Sequence, residues 1–84
     1  MRTSDEVHYT NREMQIIKQI LLGTRRKVIP SLIGMDDDTI GNHFKNLFLK
    51  TNSHCISDLL VYLLSHGFAV NRERTEVTYK GEIL

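Results

Sequence analysis

Few residues of this 84-residue chain have the types and spacing that covalent or metal chemistry needs. Cys55 is the single cysteine, so it can form neither an internal disulfide nor a Cys-x-x-Cys metal or redox pair. A metal site on one helix needs two histidines one helical turn apart. None of the four histidines is spaced in this way: they are His8, His43, His54 and His66. Cys55 follows His54, but no orienting group or oxyanion site accompanies the thiol. The sequence therefore predicts no catalytic residue, no metal site and no cofactor.

The distribution of charge is more informative than the net charge of +1. No acidic residue lies between Thr39 and Ser57, a stretch that contains Lys45 and Lys50, and a second basic run covers residues 25–27. Because affinity for phosphates grows with the number of neutralising Lys and Arg side chains, this distribution favours a nucleic-acid partner. A solvated helix face is the alternative interpretation of the same charges.

The length of the chain fits one domain with a modest core and leaves no room for a separate catalytic or sensing domain. The apolar run Ile56–Leu64 is interrupted by Ser57 and Asp58 and is far shorter than a membrane-spanning helix. The N-terminal residues 1–6 are polar and mixed in charge, which is not typical of a secretory signal. We therefore expect a cytoplasmic protein with no membrane partner.

Hydrophobic periodicity predicts four helices, and polar cap residues mark the start of two of them. The predicted helices cover approximately residues 11–22, 28–33, 37–50 and 55–66. Thr10 and Glu13 form a capping-box pattern before the first helix, and Asp36 is a good N-cap for the third. Pro30 lies within the second helix, which ends at Gly34. Since a helix accepts proline only in its first turn, this helix must start late or be distorted.

These elements predict an all-α fold with three segments. Residues 1–8 carry few apolar side chains and indicate a flexible leader, residues 9–68 form the helical domain, and residues 69–84 are a C-terminal extension. Within the extension, residues 77–79 could form one short strand with residues 69–70 as its partner. An unordered tail is the alternative.

The second and third helices are joined by a short turn at Gly34, Met35 and Asp36, which is a helix-turn-helix arrangement. From Tyr9 to about Leu60, the sequence resembles the LuxR-type helix-turn-helix domain, also called the GerE or response-regulator type. The matching residues, which begin with a T-x-R-E motif, are Thr10, Arg12, Glu13, Gly23, Lys27, Ile29, Gly34, Thr39, Ile40, His43, Asn46 and Lys50.

The resemblance implies a bacterial, nucleoid-associated transcription regulator. In that family the helix equivalent to 37–50 enters the major groove of double-stranded DNA, and the helix equivalent to 55–66 commonly forms a homodimer. The base-facing candidates are Gly41, Asn42, Lys45 and Asn46, and the phosphate-facing candidates are Lys27, Thr39 and Lys50. The implied dimer or partner interface consists of Ser57, Val61, Leu64 and Ser65. Asn42 could pair with adenine, and Lys45 could donate to guanine.

Some residues depart from the family pattern. Gly41 and Leu49 stand where the family often has basic residues, and acidic residues 36–38 open the reading helix close to where phosphates would lie. We therefore expect weak DNA binding by a monomer, with affinity recovered through dimerisation or a partner protein. A rival interpretation is a degenerate helix-turn-helix protein that binds another transcription regulator or RNA polymerase through Val61 and Leu64 or through the tail. A fragment of a longer receiver or ligand-sensing protein is a further alternative.

Overall fold

The computed structural model of the protein describes residues 7–84 and contains four helices followed by a small sheet. Of the predicted leader, residues 1–6 lie outside the described part of the chain. The elements are α1 (Asn11–Leu21), α2 (Ile29–Ile33), α3 (Asp37–Thr51), α4 (Ile56–Ser65), β1 (Phe68–Val70), β2 (Val77–Tyr79) and β3 (Glu82–Ile83). All four predicted helices are present, close to their predicted ends.

Local side-chain chemistry explains where the helices begin. The capping box at the start of α1 is confirmed: the Glu13 amide donates to Thr10 Oγ1 over 3.1 Å, and the Thr10 amide donates to Glu13 Oε1 over 2.9 Å. Pro30 lies in the first turn of α2, where its missing N–H removes no helical hydrogen bond. The five-residue helix α2 therefore accommodates Pro30 in its first turn and ends at Gly34.

The predicted all-α class is wrong, because the chain ends in a three-stranded antiparallel sheet of order β1-β2-β3. Val70 pairs with Val77 between the first two strands, and Tyr79 pairs with Glu82 between the last two. The predicted pairing of residues 77–79 with residues 69–70 is confirmed as β2 and β1, and β3 adds a third strand to it. The alternative of an unordered tail is wrong, and the fold is mixed α and β.

The turn between β2 and β3 explains why a sheet forms in such a short segment. Lys80 and Gly81, the two residues between the strands, have φ angles of 52° and 86°. Positive φ at both central residues is the pattern of a type I′ turn, whose twist matches that of the flanking strands. The third strand, which the sequence does not predict, has only two residues and is too short for an alternating pattern to identify it.

One core joins the helices to the sheet. Its buried side chains come from α1, α2, α3, α4, β1 and β2, and are Ile16, Ile17, Ile20, Leu21, Ile29, Ile40, Phe44, Leu47, Leu59, Leu63, Phe68 and Val77. Tyr9, just before α1, packs edge-on against two aromatic rings of the sheet, with centroid distances of 5.6 Å to Phe68 and 6.1 Å to Tyr79. The sheet therefore completes the hydrophobic core.

Replacing Val77 by alanine tests whether the sheet contributes to this core. Val77 is fully buried, so we expect Val77→Ala to lower the free energy of unfolding by about 2 kcal/mol through lost burial and a residual cavity. The matched control is Ile83→Ala, on the exposed third strand, with an expected change within about 0.5 kcal/mol. Urea unfolding followed by circular dichroism measures both variants, and equal stabilities would show that the sheet does not share the core.

Candidate nucleic-acid interface

A tight turn places α2 and α3 next to each other. Gly34 adopts a left-handed conformation with φ of 72°, which a glycine accepts without steric cost, and ends α2. The amide of Met35 donates to the Pro30 carbonyl over 2.9 Å, and this bond closes the turn. Only Met35 and Asp36 separate Gly34 from the first residue of α3. The connection between α2 and α3 is thus defined by the left-handed Gly34 and this backbone hydrogen bond.

Asp36 caps the N-terminus of α3, as the sequence predicts. Its Oδ1 accepts a hydrogen bond from the Thr39 amide over 2.8 Å. The hydrogen bonds from Thr39 hold the pKa of the Asp36 carboxyl below its usual value, so this group is ionised at neutral pH. Asp37 and Asp38 in the first turn are exposed, and this end of α3 is therefore acidic.

Helix α3 has an apolar face and a polar face. Its apolar side chains Ile40, Phe44 and Leu47 are buried in the core. Three of the four base-facing candidates are exposed, namely Asn42, Lys45 and Asn46, and the fourth, Gly41, is half-buried. No side chain of the described residues hydrogen-bonds to these three, so their polar groups are available to a ligand.

The phosphate-facing candidates differ in their surroundings. Lys27 is exposed and Thr39 is half-buried beside Asp36. The Lys50 ammonium, in contrast, donates to the Glu13 carboxylate and to the His8 carbonyl, the latter over 2.9 Å. The structure therefore places Lys50 in an internal contact at the C-terminal end of α3.

Glu13 is the buried partner of this ion pair. Its side chain is 2% exposed, whereas that of Lys50 is 31% exposed. Glu13 Oε1 also accepts the capping hydrogen bond from the Thr10 amide. The Tyr9 ring lies 6.0 Å from the Lys50 ammonium, and burial raises the pKa of its phenol, which is therefore neutral at physiological pH. The ion pair fixes the end of α3 to the start of α1.

Arg26 was not a candidate from the sequence. It lies before α2, yet its side chain packs against α3. Its guanidinium carbon lies 4.9 Å from the centroid of the Phe44 ring, a cation–π arrangement. One of its terminal nitrogens is 3.6 Å from the position that a Cβ atom on Gly41 would occupy. The basic run at residues 25–27 was the available signal, but periodicity does not indicate which of its side chains turns toward α3.

The interface candidates on α4 form a second exposed surface, which we call the α4 face: Ser57, Val61, Leu64 and Ser65. Val61 is 67% exposed and Leu64 is 49% exposed, although both are large apolar residues. The spacing of these residues puts them along one side of the helix. The Ser65 hydroxyl donates to the Val61 carbonyl over 2.8 Å, so it does not interrupt the apolar surface with an unbonded polar group.

Residues 7–84 contain neither a metal-binding cluster nor a membrane-spanning helix. No group of three or more His, Cys, Asp or Glu side chains there could hold a metal ion. In the same range, every helix is too short or too polar to cross a membrane.

Comparison of the chain with protein-family models, with curated proteins and with solved structures gives no match. The LuxR-type resemblance accordingly rests on the residues quoted from the sequence.

Replacing Lys50 by alanine separates a structural role of this residue from a DNA-binding one. Lys50→Ala leaves the buried Glu13 carboxylate without its cation, and we expect a loss of about 2 kcal/mol in the free energy of unfolding. Lys45→Ala, on the exposed face of the same helix, should change it by less than about 0.5 kcal/mol. Urea unfolding without DNA measures both, and a small effect of Lys50→Ala would contradict the structural role.

Proposed function

We propose that this chain binds double-stranded DNA sequence-specifically, as a helix-turn-helix transcription regulator of LuxR type. The observation that carries the proposal is the polar face of α3, where Asn42, Lys45 and Asn46 are exposed opposite the buried Ile40 and Phe44. Helix α2 precedes α3 across a tight turn at Gly34, and both helices pack against α1. The buried face anchors such a helix to the domain, and the polar face can then enter a groove of the DNA.

The dimensions of DNA support this use of α3. The major groove of B-DNA is about 12 Å wide and admits one α-helix with its side chains. Each base pair presents a distinct pattern of donors and acceptors in that groove. In the proposed complex, the Asn42 amide pairs with adenine, and the Lys45 ammonium donates to guanine O6 and N7. Asn46 lies beside them, while Gly41 presents only its backbone.

The positioning contacts to phosphate fall mainly to Lys27 and Thr39. Lys50 already neutralises Glu13, so in this proposal it does not count fully as a phosphate contact. Asp37 and Asp38 are exposed at the other end of α3 and repel phosphates. Since non-specific affinity increases with the number of phosphates neutralised, one copy of this domain should bind DNA weakly.

Dimerisation through the α4 face would compensate for this weakness. Val61 and Leu64 provide apolar area that the chain itself leaves uncovered, and Ser57 and Ser65 at its edges are small enough for a second helix to approach. Two linked domains read two half-sites, and the second contact becomes an intramolecular event. The same exposed residues support a second candidate, in which the α4 face binds another transcription regulator or RNA polymerase.

A binding assay with labelled duplex DNA tests the principal proposal. We expect selection from randomised duplexes to enrich a common motif, and the affinity for that motif to fall as salt rises. Asn42→Ala or Lys45→Ala should weaken binding to the selected motif by about 5- to 150-fold, as expected for loss of a base contact.

Arg72→Ala is the matched control, because it also removes one positive charge but lies in the exposed loop between β1 and β2. It should change the affinity by less than about threefold, consistent with loss of a remote surface charge. Failure to enrich any motif, or equal losses for Lys45→Ala and Arg72→Ala, would refute sequence reading by α3.

Sedimentation analysis tests the α4 face. We expect the wild-type chain to form a dimer at micromolar concentration and Val61→Glu to be a folded monomer, because a charge in an apolar contact is costly to desolvate. Ile83→Glu, which places the same charge on an equally exposed residue of β3, should remain dimeric. A wild-type monomer at all concentrations would exclude dimerisation and leave the second candidate for this surface.

A further inference from the structure

Arg26 is a cation from outside α3 that packs against this helix, beside Phe44 and Gly41. It precedes α2 in sequence, but its guanidinium lies 4.9 Å from the Phe44 ring centroid. Phe44 itself is only 3% exposed, so the guanidinium covers the outer side of a core residue. A guanidinium stacked on an aromatic ring keeps its edges, and thus its N–H donors, free for other partners.

Gly41 provides the space for this arrangement. The nearest side-chain atom to a Cβ built at this position is an Arg26 nitrogen, at 3.6 Å, which is an ordinary van der Waals contact. An alanine would therefore fit beside the guanidinium, but a long side chain at this position would meet it. Arg26 thus occupies the surface that a side chain of residue 41 would otherwise cover. Position 41 is adjacent to Asn42 and one helical turn from Lys45.

The hydrogen-bonding capacity of the Arg26 guanidinium is unused within the described residues. None of their carboxylates forms an ion pair with it, and no side-chain hydrogen bond from it is present there. This distinguishes Arg26 from Lys50, whose charge is neutralised by Glu13. Arg12, another arginine near α2, donates instead to the Ile33 carbonyl over 3.1 Å.

We propose that Arg26, stacked on Phe44 across the gap left by Gly41, is a specificity-determining residue that reads guanine in the major groove. The planar guanidinium can donate two parallel hydrogen bonds to guanine O6 and N7, a geometry that an ammonium group cannot reproduce. The contact with Phe44 limits the freedom of the Arg26 side chain before DNA arrives, which lowers the entropic cost of the guanine contact. This inference rests on the proposed binding of DNA by α3.

Motif selection with Arg26 and Gly41 variants tests the assignment. The wild-type protein should select at least one guanine that Arg26→Ala no longer selects, while the preferences due to Asn42 and Lys45 persist. Arg26→Lys keeps the charge but lacks the planar fork, and should also lose preference at that base pair. On the wild-type motif, we expect Arg26→Ala to lower affinity by at least about tenfold. On a motif in which that guanine is replaced, the wild-type protein should bind more weakly than before, whereas the affinity of Arg26→Ala should not change.

Gly41 supplies a test that leaves Arg26 in the chain. Gly41→Ala should preserve the guanine preference, whereas Gly41→Leu should remove it by displacing the guanidinium from Phe44. Circular dichroism and urea unfolding verify that each variant is folded. If Gly41→Leu does not fold, Arg26→Ala and Arg26→Lys still decide the matter.

Each alternative result has a definite meaning. A uniform loss of affinity in Arg26→Ala, with base preferences unchanged and a salt dependence reduced by about one phosphate contact, would overturn guanine reading in favour of phosphate binding. Unchanged affinity and preferences in Arg26→Ala would overturn the inference alone. Absence of any enriched motif with the wild-type protein would overturn the proposed function and this inference together.

Discussion

The buried carboxylate of Glu13 is the constraint on which the arrangement of the helices depends. It accepts a hydrogen bond from the Thr10 amide at the start of α1 and forms an ion pair with Lys50 at the end of α3. Lys50 also binds the His8 carbonyl, so three parts of the chain meet at one charge. Since removal of the cation from the buried Glu13 carboxylate is expected to cost about 2 kcal/mol, orientations of α3 that separate Lys50 from Glu13 are disfavoured.

This arrangement divides α3 into two functionally different halves. Its C-terminal end is held by Lys50, and its buried face is held by the core residues Ile40, Phe44 and Leu47. The polar side chains of Asn42, Lys45 and Asn46 remain exposed on a helix whose position is already fixed. Such preorganisation reduces the entropy lost on binding, although it also uses one of the few cations that a phosphate-binding protein needs. The weak net charge and the exposed α4 face are consistent with function as a dimer or with a partner.

The sequence predicts most of the helical part because the relevant signals are local. The capping residues Thr10 and Asp36 act on amides three positions away, and the apolar spacing of α3 repeats within each turn. The sheet is predicted only in part: residues 77–79 and 69–70 indicate its first pair of strands, whereas β3 has two residues and its turn begins with Lys80, an unusual residue for positive φ. Val77 is buried in the core that the helices form, and this tertiary contact has no local signal in the sequence.

The candidate interface shows the same limit. Exposure of Asn42, Lys45 and Asn46 follows from the helical pattern, since the opposite face is apolar. The roles of Lys50 and Arg26 do not, because their partners are distant or lie in another element: Glu13 is 37 residues from Lys50, and the Phe44 ring belongs to α3. Charge composition indicates how many cations are present, whereas tertiary contacts decide which remain available to a ligand.

Amide chemical-shift mapping by NMR tests most directly whether α3 is the DNA-binding element. A 15N-labelled sample would be titrated with a duplex carrying the selected motif, at low and at high salt. The account predicts the largest shifts at residues 39–46 and at Arg26, decreasing as salt rises. Shifts confined to α4 or to the sheet, or none at low salt, would contradict it.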